Sequence, residues 1–393
     1  MKLIKNNIII YIVLFSISIY PAALLNKETG MSYLLISALF LCACTIFNKQ
    51  KCFRTELILY LFLIFLWIFP LISNPNSFRV STIIFTSLYV VSYISYINCM
   101  SRGSFSLEKY ILFLRFIIIA YFCMLVIQQI CVLFELPVLN ANNYSSYNAW
   151  KLNSLSAEPS HSARIIGVLL YSHFIMTELI NGKKLTLIDY FIKNKFLVVS
   201  FLWVSLTMGS GTAFLMLSLL IVRFLNFKDI YLVVLLVGIS VFVVSSIDME
   251  VFDRFVNFSS AVMTLDKDKM IFADHSASVR VVPFIIAFEK LNLFSLNGLI
   301  GNGIDFTKSF MSVDFPGVKD GFTGGGMLSF ALEFGWPLCL TFLYITFKNV
   351  VVYKEPITFV FWVLLIVISG INEPLLWFSL FFLSTNKYFE KIT

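Results

Sequence analysis

The sequence predicts an all-α integral membrane protein with about 12 transmembrane helices (range about 10–12) and one large extracytoplasmic loop that contains short helices. Hydrophobic residues make up 59% of its 393 residues, charged residues only 13%, and the mean hydropathy is +0.89. A soluble domain is about half apolar and about a quarter charged. The apolar runs are about 15–25 residues long, which fits membrane helices, whereas barrel strands are shorter and alternate. One polar interval late in the chain, residues 248–323, interrupts these runs.

The apolar runs, taken in order, define the predicted spans. No small-x-small cleavage site follows the first run, Ile8–Leu25, so it is interpreted as a span and not as a signal peptide. The spans cover residues 8–25, 31–47, 57–73, 80–100, 110–135, 163–180, 196–208, 212–226, 230–247, 325–347, 357–371 and 375–385. No internal repeat stands out and no segment is large enough to fold alone in water, so we expect one polytopic membrane domain over residues 1–393.

Lysine and arginine residues are distributed unequally between the two sets of short loops. One set, together with the termini, carries 18 of them, and the opposite set carries 4. Because basic loops stay in the cytoplasm, both termini are predicted to be cytoplasmic. Residues 136–162 and 248–323 are then extracytoplasmic loops, and the second is too long for its charges to count. The net charge of +7 is explained by this orientation signal, so no nucleic-acid partner is expected.

Two arginines lie where predicted spans meet the outer surface. Arg164 begins the sixth span, and Arg280 ends the motif DHSASVR; on the same side, Asn372-Glu373-Pro374 caps the eleventh span. An arginine fork binds phosphate oxygens through two parallel hydrogen bonds and keeps its charge, so two of them beside one cavity can hold a diphosphate. The alternative is a side chain that snorkels to the interface and anchors a helix end.

Other polar residues on the outer side are candidates for proton transfer or substrate binding. Glu158 precedes a proline before the sixth span and is a candidate general base, unless it is simply solvated. Glu333 is costly in lipid unless it faces a cavity or pairs with an arginine. His161 and His275 can shuttle protons or serve structural roles. Arg254 lies on a candidate amphipathic helix.

Several signatures of other activities do not occur in the sequence. The chain has no G-x-x-x-x-G-K-[ST] phosphate loop, no H-E-x-x-H zinc motif and no G-x-S-x-G esterase elbow. Cys42 and Cys44 lie in a hydrophobic run without a second ligand pair, so we expect no metal site and no cofactor.

Three segments on the predicted outer side of the membrane resemble the O-antigen polymerase family in type and in order along the chain. These polymerases share a superfamily with the O-antigen ligases. Ser156–Ser160 resembles the Glu-Pro-Ser segment that precedes a central span. Arg280, an apolar stretch and then Gly301-Asn302-Gly303 resemble the family's order of arginine, hydrophobic helix and G-x-G. Glu333-Phe334-Gly335 resembles the Glu-x-Gly at the return into the membrane.

The resemblance implies a metal-independent, inverting glycosyltransferase in the bacterial inner membrane, with its active site facing the periplasm. Its donor would be a glycan on undecaprenyl diphosphate and its acceptor a second lipid-linked repeat unit, so the partners are these two substrates, membrane lipid and, as a candidate, a chain-length regulator in the membrane. We expect catalytic roles for Arg280, Arg164 and Glu158, and substrate-binding roles for Arg254, His161, His275 and Glu333.

Three other functions remain open. The predicted spans also fit a lipid-linked oligosaccharide flippase or another transporter, although the large outer loop and the scarcity of mid-membrane charge count against it. An O-antigen ligase differs only in its acceptor, but ligases typically carry a His-Asn pair where this chain has Thr323–Gly326, and His275 is far upstream. A structural subunit without catalysis would tolerate every single arginine substitution.

Overall fold

A computed structural model describes residues 2–19, 32–48, 54–75, 78–102, 105–142, 144, 147, 149–224, 250–318 and 321–392. Within these ranges the protein is all-α, with 78% helix and no strand. The all-α part of the predicted fold class is therefore confirmed. The predicted span 230–247 and residues 20–25 of the first predicted span lie outside the described residues.

The helices of the described residues are numbered here in chain order. They are α1 (Lys2–Ser18), α2 (Tyr33–Cys44), α3 (Arg54–Ser73), α4 (Val80–Arg102), α5 (Leu107–Leu133), α6 (Pro159–Asn181), α7 (Leu187–Lys193), α8 (Lys195–Thr207), α9 (Gly211–Phe224), α10 (Glu250–Thr264), α11 (Lys267–Ala273), α12 (His275–Lys290), α13 (Leu296–Ile300), α14 (Met311–Asp314), α15 (Gly326–Phe334), α16 (Trp336–Val350), α17 (Ile357–Trp362) and α18 (Pro374–Ile392). A π-helical turn, Val363–Val367, continues α17.

Helices α6 and α18 lie at the centre of the bundle. Helix α18 contacts α1, α4, α6 and α16, and its residues from Leu375 to Asn386 are all buried. A helix that is apolar on all sides must be surrounded by other elements. Its polar groups pair across helices, as expected where water is absent: Asn386 Nδ2 donates to Ser172 Oγ at 2.8 Å, and the Tyr93 and Ser384 hydroxyls are 2.7 Å apart. These bonds tie α4 and α6 to α18.

Three helices, α4, α5 and α6, are long and apolar enough to cross a membrane, judged by length and composition. Large apolar side chains on the outer helices also face outward, among them Ile72, Leu112 and Phe116, which are 63%, 63% and 58% exposed. An extended apolar surface of this kind marks contact with lipid or with a partner. The structure is thus that of a membrane-associated helical protein, while the number of 12 spans stays a prediction.

The predicted span 325–347 is divided into two helices, α15 and α16, by a break at Gly335. Gly335 has φ +91°, a conformation that only glycine adopts readily. The turn at Gly301 packs against this break: a Cβ on Gly301 would lie 2.2 Å from the Glu333 carbonyl oxygen. The Gly303 amide donates to that same oxygen at 3.1 Å. The two glycine-containing motifs of the sequence therefore interlock, and the break satisfies its backbone groups through the turn.

The predicted loop 248–323 contains, in its described part, the short helices α10–α14. They enclose a small hydrophobic core of their own, which includes Met270, Val282 and Phe315 and reaches Leu332 of α15. This core packs α12 against α15 and so fixes where the start of α12 lies. The side of the membrane on which this segment lies stays a prediction.

Candidate functional site

A cleft of about 690 Å³ opens where four helices begin. Its walls include the first turns of α6, α12, α15 and α18. Each helix N-terminus presents unpaired N–H groups and carries about half a positive charge. Three of these ends already carry a carboxylate, Glu158, Asp274 and Glu373, which offsets part of that charge, and the Asp274 carboxylate caps α12 by accepting a hydrogen bond from the Ala277 amide.

The start of α6 places three polar side chains along one side of the cleft. Pro159 occupies the first helical position, which needs no N–H donor. Glu158, at the N-cap, is extended and makes no side-chain cap; its Oε2 instead accepts a hydrogen bond from Ser160 Oγ at 3.3 Å. Glu158, His161 and Arg164 are three residues apart, so a helix brings them to the same face.

The loop that precedes α6 is tied to α5 by buried hydrogen bonds. Gln128 Nε2 donates to Asn153 Oδ1 at 3.0 Å, and the Ser154 amide donates to Gln128 Oε1 at 2.8 Å. Ser162 Oγ in turn donates to the Asn153 carbonyl oxygen at 2.5 Å. The start of α6 is therefore held in place by α5, which gives the cleft one rigid wall.

The two predicted arginines meet in this cleft. Arg164 Nε donates to the Ser160 carbonyl oxygen at 3.3 Å, which orients its guanidinium group. Arg280, in the second turn of α12, lines the opposite wall. The two positive charges are close enough to repel each other, while Glu158 and Glu373 offset the charge of Arg164.

Glu373 is a residue of the cleft for which the sequence predicts only a capping position. It directly precedes Pro374, the first residue of α18, and it lines the cleft. Although the Glu373 side chain is solvent-accessible, desolvation by the walls of the cleft raises its pKa above the usual carboxyl range, against a hydrogen bond from the Gly370 amide and the charge of Arg164. The signal in the sequence is a repeated pattern: Glu-Pro begins both α6 and α18.

The remaining wall combines His275 with the glycines that precede α15. The His275 ring stacks on Phe315 with centroids 5.5 Å apart. Gly325 and Gly326 have φ of +88° and +54°, and a Cβ on Gly326 would lie 2.3 Å from the Ile368 carbonyl oxygen. Only glycine fits this close approach, and it leaves bare backbone facing the cleft. His275, far from these glycines in sequence, is thus beside them in the fold.

Glu333 lies in a second cavity of about 250 Å³, which adjoins the cleft and shares Gly324 and Glu373 with it. Its Oε1 accepts hydrogen bonds from Thr307 Oγ1 at 2.5 Å and from the Thr307 amide at 3.4 Å. The partner of Glu333 among the described residues is thus a threonine, not the arginine considered from the sequence. Arg254 falls on α10, at a position whose side chain lies outside the described residues.

Five of the seven predicted site residues therefore line one cleft: Glu158, His161, Arg164, His275 and Arg280. Within the described ranges, no group of three or more His, Cys, Asp or Glu side chains is close enough to hold a metal ion. The chain matches no protein-family model, no curated protein and no solved structure.

Proposed function

We propose that this protein is a membrane glycosyltransferase that polymerises undecaprenyl-diphosphate-linked repeat units into O-antigen or a related surface polysaccharide. The observation that carries the proposal is the convergence of Arg164 and Arg280 on one cleft, at the starts of four helices, in a membrane-associated bundle. A diphosphate ester is the anion that such a site suits, because two guanidinium forks match its oxygens and keep their charge.

The cleft can stabilise the leaving group of the reaction. When the glycosyl bond to the lipid diphosphate breaks, negative charge develops on the departing phosphate oxygen. Arg164 and Arg280 already face this space, so little reorganisation is required as the charge appears, and this is the condition for strong electrostatic catalysis.

The carboxylates of the cleft supply the base. The acceptor hydroxyl oxygen attacks the anomeric carbon, the carbon–oxygen bond to the diphosphate breaks, and the configuration inverts. The hydroxyl proton passes to Glu158 or Glu373, both of which line the cleft. His161, on the same helix turn as Glu158, is placed to relay that proton or to bind a sugar hydroxyl.

The membrane arrangement that goes with this activity is the one predicted from the sequence. About 12 spans with both termini in the cytoplasm would place the cleft at the outer face of the inner membrane. The polyprenyl tails of both substrates would lie in lipid, beside outward-facing apolar residues such as Phe288 of α12, which is 68% exposed. A chain-length regulator in the membrane would be a protein partner.

One observation favours a second candidate, the O-antigen ligase. His275 lines the same cleft as Arg280 and Gly324–Gly326, so a histidine is available despite its distance in sequence. The ligase would use the same lipid-diphosphate donor and the same arginines, with lipid A-core as acceptor. The two functions are separated by their products.

The experiment is a glycan ladder from the native host. The gene is deleted and complemented with wild type, Arg164→Ala, Arg280→Ala or Lys267→Ala, an exposed control whose ion pair with Glu289 lies outside the cleft. If the protein is a polymerase, the deletion strain and both arginine variants should show lipid A-core that carries a single repeat unit. The control should show a full ladder. Bare core with long lipid-linked chains would indicate the ligase, and single lipid-linked units trapped inside would indicate a flippase. An unchanged ladder in the deletion would refute all three for this polysaccharide.

A further inference from the structure

We infer that the second cavity, around Glu333 and Asn372, binds the acceptor sugar of the reaction, an inference that rests on the proposed function. The cavity of about 250 Å³ lies between α4, the turn Asp305–Lys308, α15 and the loop before α18. It adjoins the diphosphate cleft along Thr323, Gly324, Gly326 and Glu373. A ligand in it is therefore next to, and not within, the space for the leaving group.

The lining of this cavity includes both hydrogen-bond acceptors and donors. Glu333 Oε1 is occupied by Thr307, so its second oxygen is available as an acceptor. The Thr86 hydroxyl has one proton and two neighbours, the Thr82 carbonyl oxygen and the Asn372 amide; whichever end of that amide meets Thr86, the other end is left for a ligand. Arg79 and Thr82 add further donors. Each hydroxyl of a sugar ring both donates and accepts, so a wall of this mixed kind suits a polyhydroxylated ring better than an anion or an apolar group.

Ion pairs lie along the rim of the cavity. Asp305 bridges Arg79, which directly precedes α4, at 2.6 Å and Lys308 at 2.7 Å. The two bonds lower the pKa of Asp305 in spite of its partial burial, so its carboxylate stays charged and the bridge persists. Because Arg79 and Asp305 are far apart in sequence, the bridge joins the start of α4 to the turn that follows α13. The bridge therefore lies across the outer rim of the cavity, and as a solvent-exposed pair it contributes little stability by itself.

The position of the cavity assigns the base. Glu373 lines both the cleft and the second cavity, whereas Glu158 lines only the cleft. An acceptor ring beside Glu333 and Asn372 would direct a hydroxyl past Glu373 toward the anomeric carbon of the donor. Glu373 is then the carboxylate that takes the hydroxyl proton.

The test is a binding measurement on purified full-length protein in detergent. The probe is one repeat unit released from the host's own surface polysaccharide, without lipid or diphosphate, and its binding is followed by ligand-observed NMR. Asn372→Ala and Glu333→Gln should each weaken binding at least about tenfold, the effect of about 1.4 kcal/mol. Thr86→Val is the matched control, because it removes the same hydrogen bond from Asn372 but leaves the amide in the cavity.

Asn372 is exposed, so its variant should fold even if the Glu333 variant does not; elution as a single monodisperse species confirms this for each protein. In a transfer assay, Asn372→Ala should raise the KM for the acceptor about tenfold and leave the KM for the donor unchanged. Equal binding by wild type and both variants, or no binding by wild type, would overturn the inference. If the variants lose binding but the wild-type protein transfers no sugar, the sugar site is supported and the proposed function is refuted.

Discussion

Replacement of Arg164 by alanine tests the use of the cleft for a diphosphate. In the structure, Arg164 Nε is committed to the Ser160 carbonyl oxygen at 3.3 Å, so the guanidinium group is held in one orientation. The two Nη nitrogens remain to face a ligand, and together they form the fork that matches two phosphate oxygens. The alanine variant removes this fork and one positive charge, while α6 keeps its helical backbone.

The size of the effect follows from the number of bonds lost. Each hydrogen bond to a charged group contributes about 1.5–3 kcal/mol, so two of them contribute about 3–6 kcal/mol. At about 1.4 kcal/mol for each factor of ten, kcat/KM should fall about 10²–10⁴-fold. A lysine at position 164 restores a charge but neither the fork nor the bond to Ser160, so Arg164→Lys should recover at most about tenfold.

The assay uses purified protein in lipid nanodiscs with a lipid-linked repeat unit, and it follows the release of undecaprenyl diphosphate. If the arginine acts on the leaving group, the loss falls mainly on kcat and less on KM. Lys267→Ala is the control, because its exposed pair with Glu289 contributes little and lies away from the cleft. An Arg164→Ala variant with kcat/KM within about threefold of wild type would refute the role of the fork.

Three further predictions concern the base, the broken helix and a buried ion cluster. Glu373→Gln should lower kcat about 10²–10⁴-fold. A base acts only when deprotonated and the pKa of Glu373 is raised, so on acidification the wild-type rate should fall at a higher pH than it would with a carboxyl group of ordinary pKa. The residual rate of the variant should not show this fall. Gly335 has φ +91°, and in Gly335→Ala the new Cβ would lie 2.1 Å from the Leu299 carbonyl oxygen. The free energy of unfolding should fall by about 1–3 kcal/mol from backbone strain, and further from the clash, which lowers the thermal midpoint in detergent. Gly211→Ala is the control and should leave the midpoint unchanged, because no atom lies within 4 Å of its added Cβ. The Arg223 guanidinium lies 3.1 Å from Glu178 Oε2 and 2.5 Å from Glu355 Oε2, and all three side chains are largely buried. Arg223→Ala leaves both carboxylates without this partner and should destabilise the protein by about 3–5 kcal/mol. An unchanged thermal midpoint in detergent would contradict this.

The sequence identified Glu158, His161 and Arg164 as separate candidates, and their common face follows once a helix is known to begin at Pro159. Glu158, His161 and Arg164 are three residues apart at the start of an apolar run, so any helix that begins there places them on one face. The all-α fold also follows directly from the lengths of the apolar runs.

The opposite wall depends on tertiary packing that no local pattern encodes. Arg280 reaches the cleft because the small core around Met270 and Phe315 packs α12 against α15. Glu333 could not be assigned a partner from the sequence, because its bond to Thr307 requires the turn at Gly301 to dock on the break at Gly335. Glu373 was visible as an outer charge, but only the bundle brings the second Glu-Pro helix start beside the first.

The most direct measurement is the reaction of purified protein with a single lipid-linked repeat unit, with the products identified by mass spectrometry. We expect a two-repeat glycan on lipid diphosphate and free undecaprenyl diphosphate in equal amounts, both lost in Arg164→Ala and Arg280→Ala. Formation of the same products at the same rate by both variants would contradict the role of the cleft. Absence of both products with wild-type protein of intact fold would contradict polymerisation itself.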